Sequence, residues 1–286
     1  MFPKKPSENP AYAATVALFD SATHPTLDGQ WLTGSQDDAS VATLRREMVA
    51  AHVRAAFALG MDRIGGYEFS RYASHLRETA PELLPVAWAP FERLRTPADA
   101  GRFARDARAA GYVGVKIHPR FADIALTDPR IDDVIAAATG EKLAIFLCTH
   151  LYDARHYREN TLENLGLLLQ RNAASRIVLL HGGTVQLMEL MQLAKIFRNT
   201  LVDVSYTLCK FAGSSLDLDL AWLFQTCDRR ICVGSDHPEY RPALLRARFV
   251  QLAANLPQDQ VDNIAFANLA AFTGCALPPV PATEEL

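Results

Sequence analysis

Short runs rich in valine, isoleucine and leucine recur at roughly 20- to 45-residue intervals, each followed by a longer stretch with apolar residues at helical spacing. The runs cover residues 15–20, 63–67, 84–89, 112–118, 143–149, 177–181, 201–206 and 231–235. Continuous apolar runs of this length suit parallel strands covered on both faces by crossover helices. The strict alternation of a sandwich strand is absent. Helical segments are expected over 40–59, after two aspartates, and over 97–109 and 129–138, each opening with proline at its first turn. Gly60, Gly111 and Gly140 stand where a left-handed residue would close those helices. Eight βα repeats without a break in composition predict one α/β domain over 1–286, a closed (β/α)8 TIM barrel. An open α/β sheet is the alternative. No GxGxxG follows a strand, so dinucleotide binding has no support.

Composition narrows the function more than the fold. Hydrophobic residues make up 49% and charged residues 21% of the 286, enough to bury a barrel core without disulfides or structural metal. The net charge of -3, with no long basic run, gives no electrostatic footprint for nucleic acid or an anionic membrane. No stretch approaches the roughly 18 apolar residues that a membrane span needs, and residues 1–14 lack the apolar stretch of a signal peptide. Five cysteines with no close CxxC pair fit a reducing cytoplasm. The expected partner is therefore a small-molecule substrate in the cytoplasm, with a homo-oligomer left open.

Chemistry-bearing residues are unevenly placed. Of the eight histidines, His24, His118, His150, His181 and His237 fall at or just beyond the C-terminal end of an expected strand. Barrel enzymes do their chemistry at that face. Side chains alternate along a strand, so Asp20, Ala22 and His24 are expected to share one direction, as are Lys116 and His118. Any one of these has a structural reading: histidine can satisfy backbone carbonyls, and the aspartate of Gly-Ser-Asp-His-Pro can start a helix. Imidazoles and a carboxylate converging from separate strands are, however, what a catalytic zinc site requires.

The segments Phe19-Asp20-Ser21-Ala22-Thr23-His24, Val115-Lys116-Ile117-His118-Pro119, Thr149-His150, Leu180-His181-Gly182-Gly183 and Gly234-Ser235-Asp236-His237-Pro238 resemble the amidohydrolase superfamily. They are most similar to its amidohydrolase-2 branch of hydrolases, lactonases and decarboxylases. The resemblance extends to Asn263–Gly274, which is similar to the closing helix of that branch. It implies a metal set of His24, His150 and Asp236, with His181 as a further candidate. The branch opens with Asp-x-His-x-His, and here the first histidine is replaced by Ala22. One divalent metal, with zinc the first expectation, is therefore implied to bind weakly or not at all. Lys116 falls where binuclear relatives carry a carbamylated lysine; its expected role here is to face solvent or substrate.

These residues define an expected activity: hydrolysis of an ester, lactone or amide in a small carboxylate-bearing substrate. Asp236 is the expected general base, and His181 the group that hydrogen-bonds the reacting carbonyl or protonates the leaving group. Water would be activated by the metal or, as in metal-free relatives, by these side chains alone. Lys116, His118, Arg120 and, at the rim, Tyr206 are the expected substrate-binding groups. Decarboxylation is an alternative reaction. A catalytically inactive barrel that binds a ligand or partner is the alternative from another functional class.

Overall fold

Seven of the eight expected runs carry a strand in the computed structural model, which describes residues 11–32 and 35–277. The opening segment read as lacking a signal peptide lies largely outside the described residues. The strands are β1 (Leu18–Thr23), β2 (Val53–Leu59), β3 (Leu83–Trp88), β4 (Gly114–Ile117), β5 (Ala144–Cys148), β6 (Ile177–Leu180), β7 (Thr200–Asp203) and β8 (Ile231–Cys232). They pair in sequence order, all parallel, with helices between them on the outside. Closure comes from β1 and the segment after β8: Ser21 N donates to Val233 O at 3.1 Å, and Asp236 N to Ala22 O at 2.9 Å. The chains meet closely enough there that a Cβ on Gly234 would lie 2.6 Å from Ser21 Oγ and 2.9 Å from Ala22 N. Only glycine permits that approach.

The exception is the second strand. It was expected over 63–67 but is formed by Val53–Leu59, inside the span expected to be helix, and 63–67 lies in turns. The helix is only Val41–Ala50, begun by Ser40, whose side chain accepts from Thr43 N. The sequence Val-Arg-Ala-Ala-Phe-Ala-Leu misleads because alanine is the best helix former. In the fold Ala55, Phe57 and Leu59 point into the barrel, while Ala56 and Ala58 join the layer between strands and helices. Gly60 accordingly follows a strand, and Gly140 is the last residue of its helix, Pro129–Gly140. Gly111 does close the helix Pro97–Ala110 in the left-handed conformation, at φ +92°.

The barrel interior is filled rather than open. The Phe19 and Phe57 rings stack at 4.9 Å, and Phe57 meets Phe146 at 4.7 Å, flooring the space below the C-terminal face. Register irregularities in β1 place both Phe19 and Ala22 in this interior cluster although they are three residues apart. The expected shared direction of Asp20, Ala22 and His24 fails for that reason. Asp20 turns towards the segment after β8, where Oδ1 accepts from Ser235 N at 2.9 Å.

Candidate active site

At the C-terminal ends of the strands a cavity of about 450 Å³ opens, lined by all eight candidates: His24, Lys116, His118, Arg120, His150, His181, Tyr206 and Asp236. Trp31, Met61, Arg155 and Glu239 join them from the loops. The strand-end histidine that stays out is His237, which is buried near Glu47 of the helix Val41–Ala50, with Nδ1 3.7 Å from Oε2. A second, slightly larger cleft of about 520 Å³ is lined by acidic and aromatic residues with two arginines, but no histidine, lysine or cysteine. The histidines and the lysine gather in the first.

One corner of the mouth is built on His24. Its Nδ1 lies 3.0 Å from Leu59 O, and a carbonyl can only accept, so the proton sits on Nδ1. Nε2 is left facing Asp236 Oδ1 at 3.2 Å and Lys116 Nζ at 3.4 Å, with the Trp31 ring stacked over the imidazole at 5.4 Å. Lys116 is 1% exposed and also reaches Met61 Sδ at 3.2 Å. Burial pushes its ammonium down to about 8, and burial together with Lys116 lowers His24. For Asp236, burial works to raise the carboxyl, but His181, with His24 and Lys116, holds it well below the usual carboxylate range.

The opposite corner is a relay behind His181. Its Nδ1 lies 3.1 Å from Ser205 Oγ, and Ser205 in turn donates to Asp203 Oδ2. The same oxygen accepts His181 N at 3.2 Å, and Ser21 Oγ donates to Asp203 Oδ1 at 2.5 Å. Ser205 therefore accepts from Nδ1–H, which leaves Nε2 as the working nitrogen. Burial opposes a charge on this ring, but Asp236, with Cys148 and Asp203, raises it to about 9, so it is an imidazolium at neutral pH. The other two imidazoles are neutral. Burial takes His118 down to about 4, and its Nδ1 accepts from Phe121 N at 3.3 Å; burial and Arg120 lower His150.

Backbone strain collects at the same place. His181, Tyr206 and Asp236 hold φ of +68°, +61° and +60°, a region that side-chain-bearing residues rarely adopt and that costs about 1–3 kcal/mol for each. Tyr206 is the centre of a tight turn in which Thr207 N donates to Ser205 O at 2.6 Å, with ψ −63°. This sets its ring 5.7 Å from His150 and 6.0 Å from His181, as a wall of the mouth. Arg120 also lines the mouth, and its buried Nε has no hydrogen-bond partner. The sequence reading missed Asp203 and Ser205; a carboxylate within the apolar run Leu-Val-Asp-Val-Ser-Tyr was the signal available.

The residues do not fit a divalent ion. His24 Nε2 and Asp236 Oδ1 are suitable donors, but their third neighbour is the Lys116 ammonium, which has no lone pair to give. Ala22, whose methyl has no lone pair to give, is buried in the apolar interior. Among the described residues no group of three or more His, Cys, Asp or Glu is placed to hold a metal.

No family model matches the sequence, and no curated protein matches it. Solved structures share the fold across most of the chain. A candidate 2-pyrone-4,6-dicarboxylic acid hydrolase from Pseudomonas putida is 17% identical, with a TM-score of 0.66 over 92% of this chain and 99% of that one. A candidate amidohydrolase from Staphylococcus aureus is 15% identical, TM-score 0.64, over 91% and 100%. A 5-carboxyvanillate decarboxylase from Novosphingobium aromaticivorans, complexed with manganese and a nitrobenzoic acid, is 11% identical, TM-score 0.62, over 94% and 99%. Fold and site together define a (β/α)8 barrel with a polar, cation-rich mouth at its C-terminal face. No described helix is long and apolar enough to cross a membrane.

Proposed function

We propose that this chain is a hydrolase that cleaves an ester, lactone or amide bond in a small carboxylate-bearing substrate. The observation that carries the reading is the charge pattern of the mouth: Lys116, Arg120, a protonated His181 and Arg155, the last paired with Asp123 and Asp153, line it against two carboxylates, Asp236 and Glu239. A cavity so lined favours an anion, and the Arg120 guanidinium at its wall can hold a carboxylate through two parallel bonds.

The reaction follows from the two corners. Asp236 holds a water against the substrate carbonyl and takes its proton as the new carbon–oxygen bond forms; such a weak base accepts late, when the attacking oxygen has already become acidic. His181 donates from Nε2 to the developing oxyanion and then to the leaving oxygen or nitrogen. The proton on Asp236 restores His181, and the site is ready again. Ser205 and Asp203 keep the ring in the orientation this needs. Zinc or another divalent ion is not part of this sequence of steps, because its ligand set is incomplete at Lys116.

The neutral imidazoles of His118 and His150 and the ring of Tyr206 would position the substrate between the corners. Decarboxylation uses the same anion-binding groups and is distinguished by its product. The test is turnover of a panel of carboxylated lactones, esters and amides beside their uncharged counterparts, with both acid release and carbon dioxide measured. Hydrolysis with kcat/KM at least about tenfold higher for the carboxylated members is expected. Faster turnover of the uncharged members would overturn the reading, carbon dioxide release would favour the decarboxylase, and tight binding without turnover the inactive barrel.

A further inference from the structure

The corner shared by His24, Asp236 and Lys116 has the shape of a cation site whose cation is covalently part of the chain. β4 aims Lys116 into the barrel, and its buried ammonium stands 3.4 Å from His24 Nε2, the nitrogen of that ring left with a lone pair. Of its three donors, His24 Nε2 and Met61 Sδ account for two. A thioether is a weak acceptor, so Met61 pins the amine without neutralising it. The third donor remains for the cavity that Lys116 lines, on the side where Asp236 supplies the countercharge.

We propose that Lys116 is a catalytic residue that supplies, as a fixed ammonium, the positive charge a divalent ion would otherwise bring to this corner, donating its free N–H to the substrate carbonyl oxygen. The catalytic part rests on the hydrolase reading; the placement of the charge does not. The arrangement also gives Ala22 a physical sense. With the cation tethered by its own side chain, the corner needs no further ligand, and the Ala22 methyl joins the apolar interior cluster with Phe19 instead.

The experiment uses the untagged full-length protein and the variants Lys116→Ala and Lys116→Met. Metal content is measured by elemental analysis, covalent state by intact mass, and affinity for ZnCl2 and MnCl2 by calorimetric titration. Sub-stoichiometric metal and an unmodified mass are expected for the wild type. Both variants, having lost the repelling charge beside His24 Nε2 and Asp236 Oδ1, are expected to bind zinc at least about tenfold more tightly than the wild type. Wild-type turnover of the best carboxylated substrate should survive EDTA. One firmly held metal per chain, a carboxylated Lys116 in the mass spectrum, or variants that bind zinc no better would overturn the proposal. Should neither variant fold, metal content and mass of the wild type decide alone. A wild type with no activity on the panel would count against the hydrolase reading, while the titrations would still judge where the charge resides.

Discussion

Asp236→Asn keeps the shape of the side chain and removes a negative charge that faces His181, His24 and Lys116, so its effect on stability should depend on pH in a definite way. His181 moves from its ordinary 6.5 to about 9 in the folded chain, and Asp236 is foremost among the groups that raise it. At about 1.4 kcal/mol for each tenfold, that is on the order of 3 kcal/mol. The low carboxyl of Asp236 reports the same attraction from the other side and is not added to it. The histidine is raised on folding, so its contribution is complete below about 6.5 and is lost as pH rises through about 9. The aspartate is depressed, so its contribution is present above its ordinary 3.8 and is lost as pH falls through the lower folded value. Lys116, at about 8, loses its charge on the same alkaline limb. The variant should therefore melt about 5–10 °C below the wild type near pH 5.5, with the gap closing towards pH 9.5. Thermal melts of both proteins across that range provide the assay. A gap that is constant with pH, or widest in alkali, would refute the charge assignment.

Three further outcomes are expected. His181→Gln should lower kcat on the best panel substrate by about a hundredfold or more while leaving KM within a few-fold, since it acts on charge developed in the transition state; unchanged kcat would remove it from the mechanism. Arg120→Gln should raise KM for carboxylated substrates by about tenfold and leave KM for their uncharged counterparts unaltered, as initial-rate kinetics on matched pairs would show. Phe57→Ala, which empties the centre of the Phe19–Phe57–Phe146 stack, should cost about 3–5 kcal/mol in chemical denaturation; a loss under about 1 kcal/mol would mean the barrel floor is not packed as described.

The barrel was legible wherever parallel strands had to be apolar on both faces, as in Ile177–Leu180 and Ala144–Cys148. It was misread at Val53–Leu59, where alanines sized for close helix packing imitate a helix. Placement at strand ends brought eight residues to one cavity, four of the five strand-end histidines among them, because strand direction decides which end of a barrel they occupy; whether a side chain then faces the mouth, as that of His237 does not, depends on local register. Three things were not legible. The irregular register of β1 turns Asp20 away from the mouth, and such shifts leave no trace in hydrophobic periodicity. The partners behind His181, Asp203 and Ser205, depend on contacts across strands. The distance between Lys116 and His24, 92 positions apart in the chain, is set by the closure of the barrel and not by any local motif.

The central claim, that the mouth grips a substrate carboxylate while Asp236 and His181 act on a neighbouring carbonyl, is tested most directly by a crystal structure of Asp236→Asn with a carboxylated lactone. Uncleaved ligand is expected in the cavity of about 450 Å³, its carboxylate on Arg120 and its carbonyl oxygen within hydrogen-bond reach of His181 and Lys116. Ligand seated in the acidic cleft lined by Asp62 and Asp99, or in the mouth with its carboxylate turned away from Arg120, would contradict it.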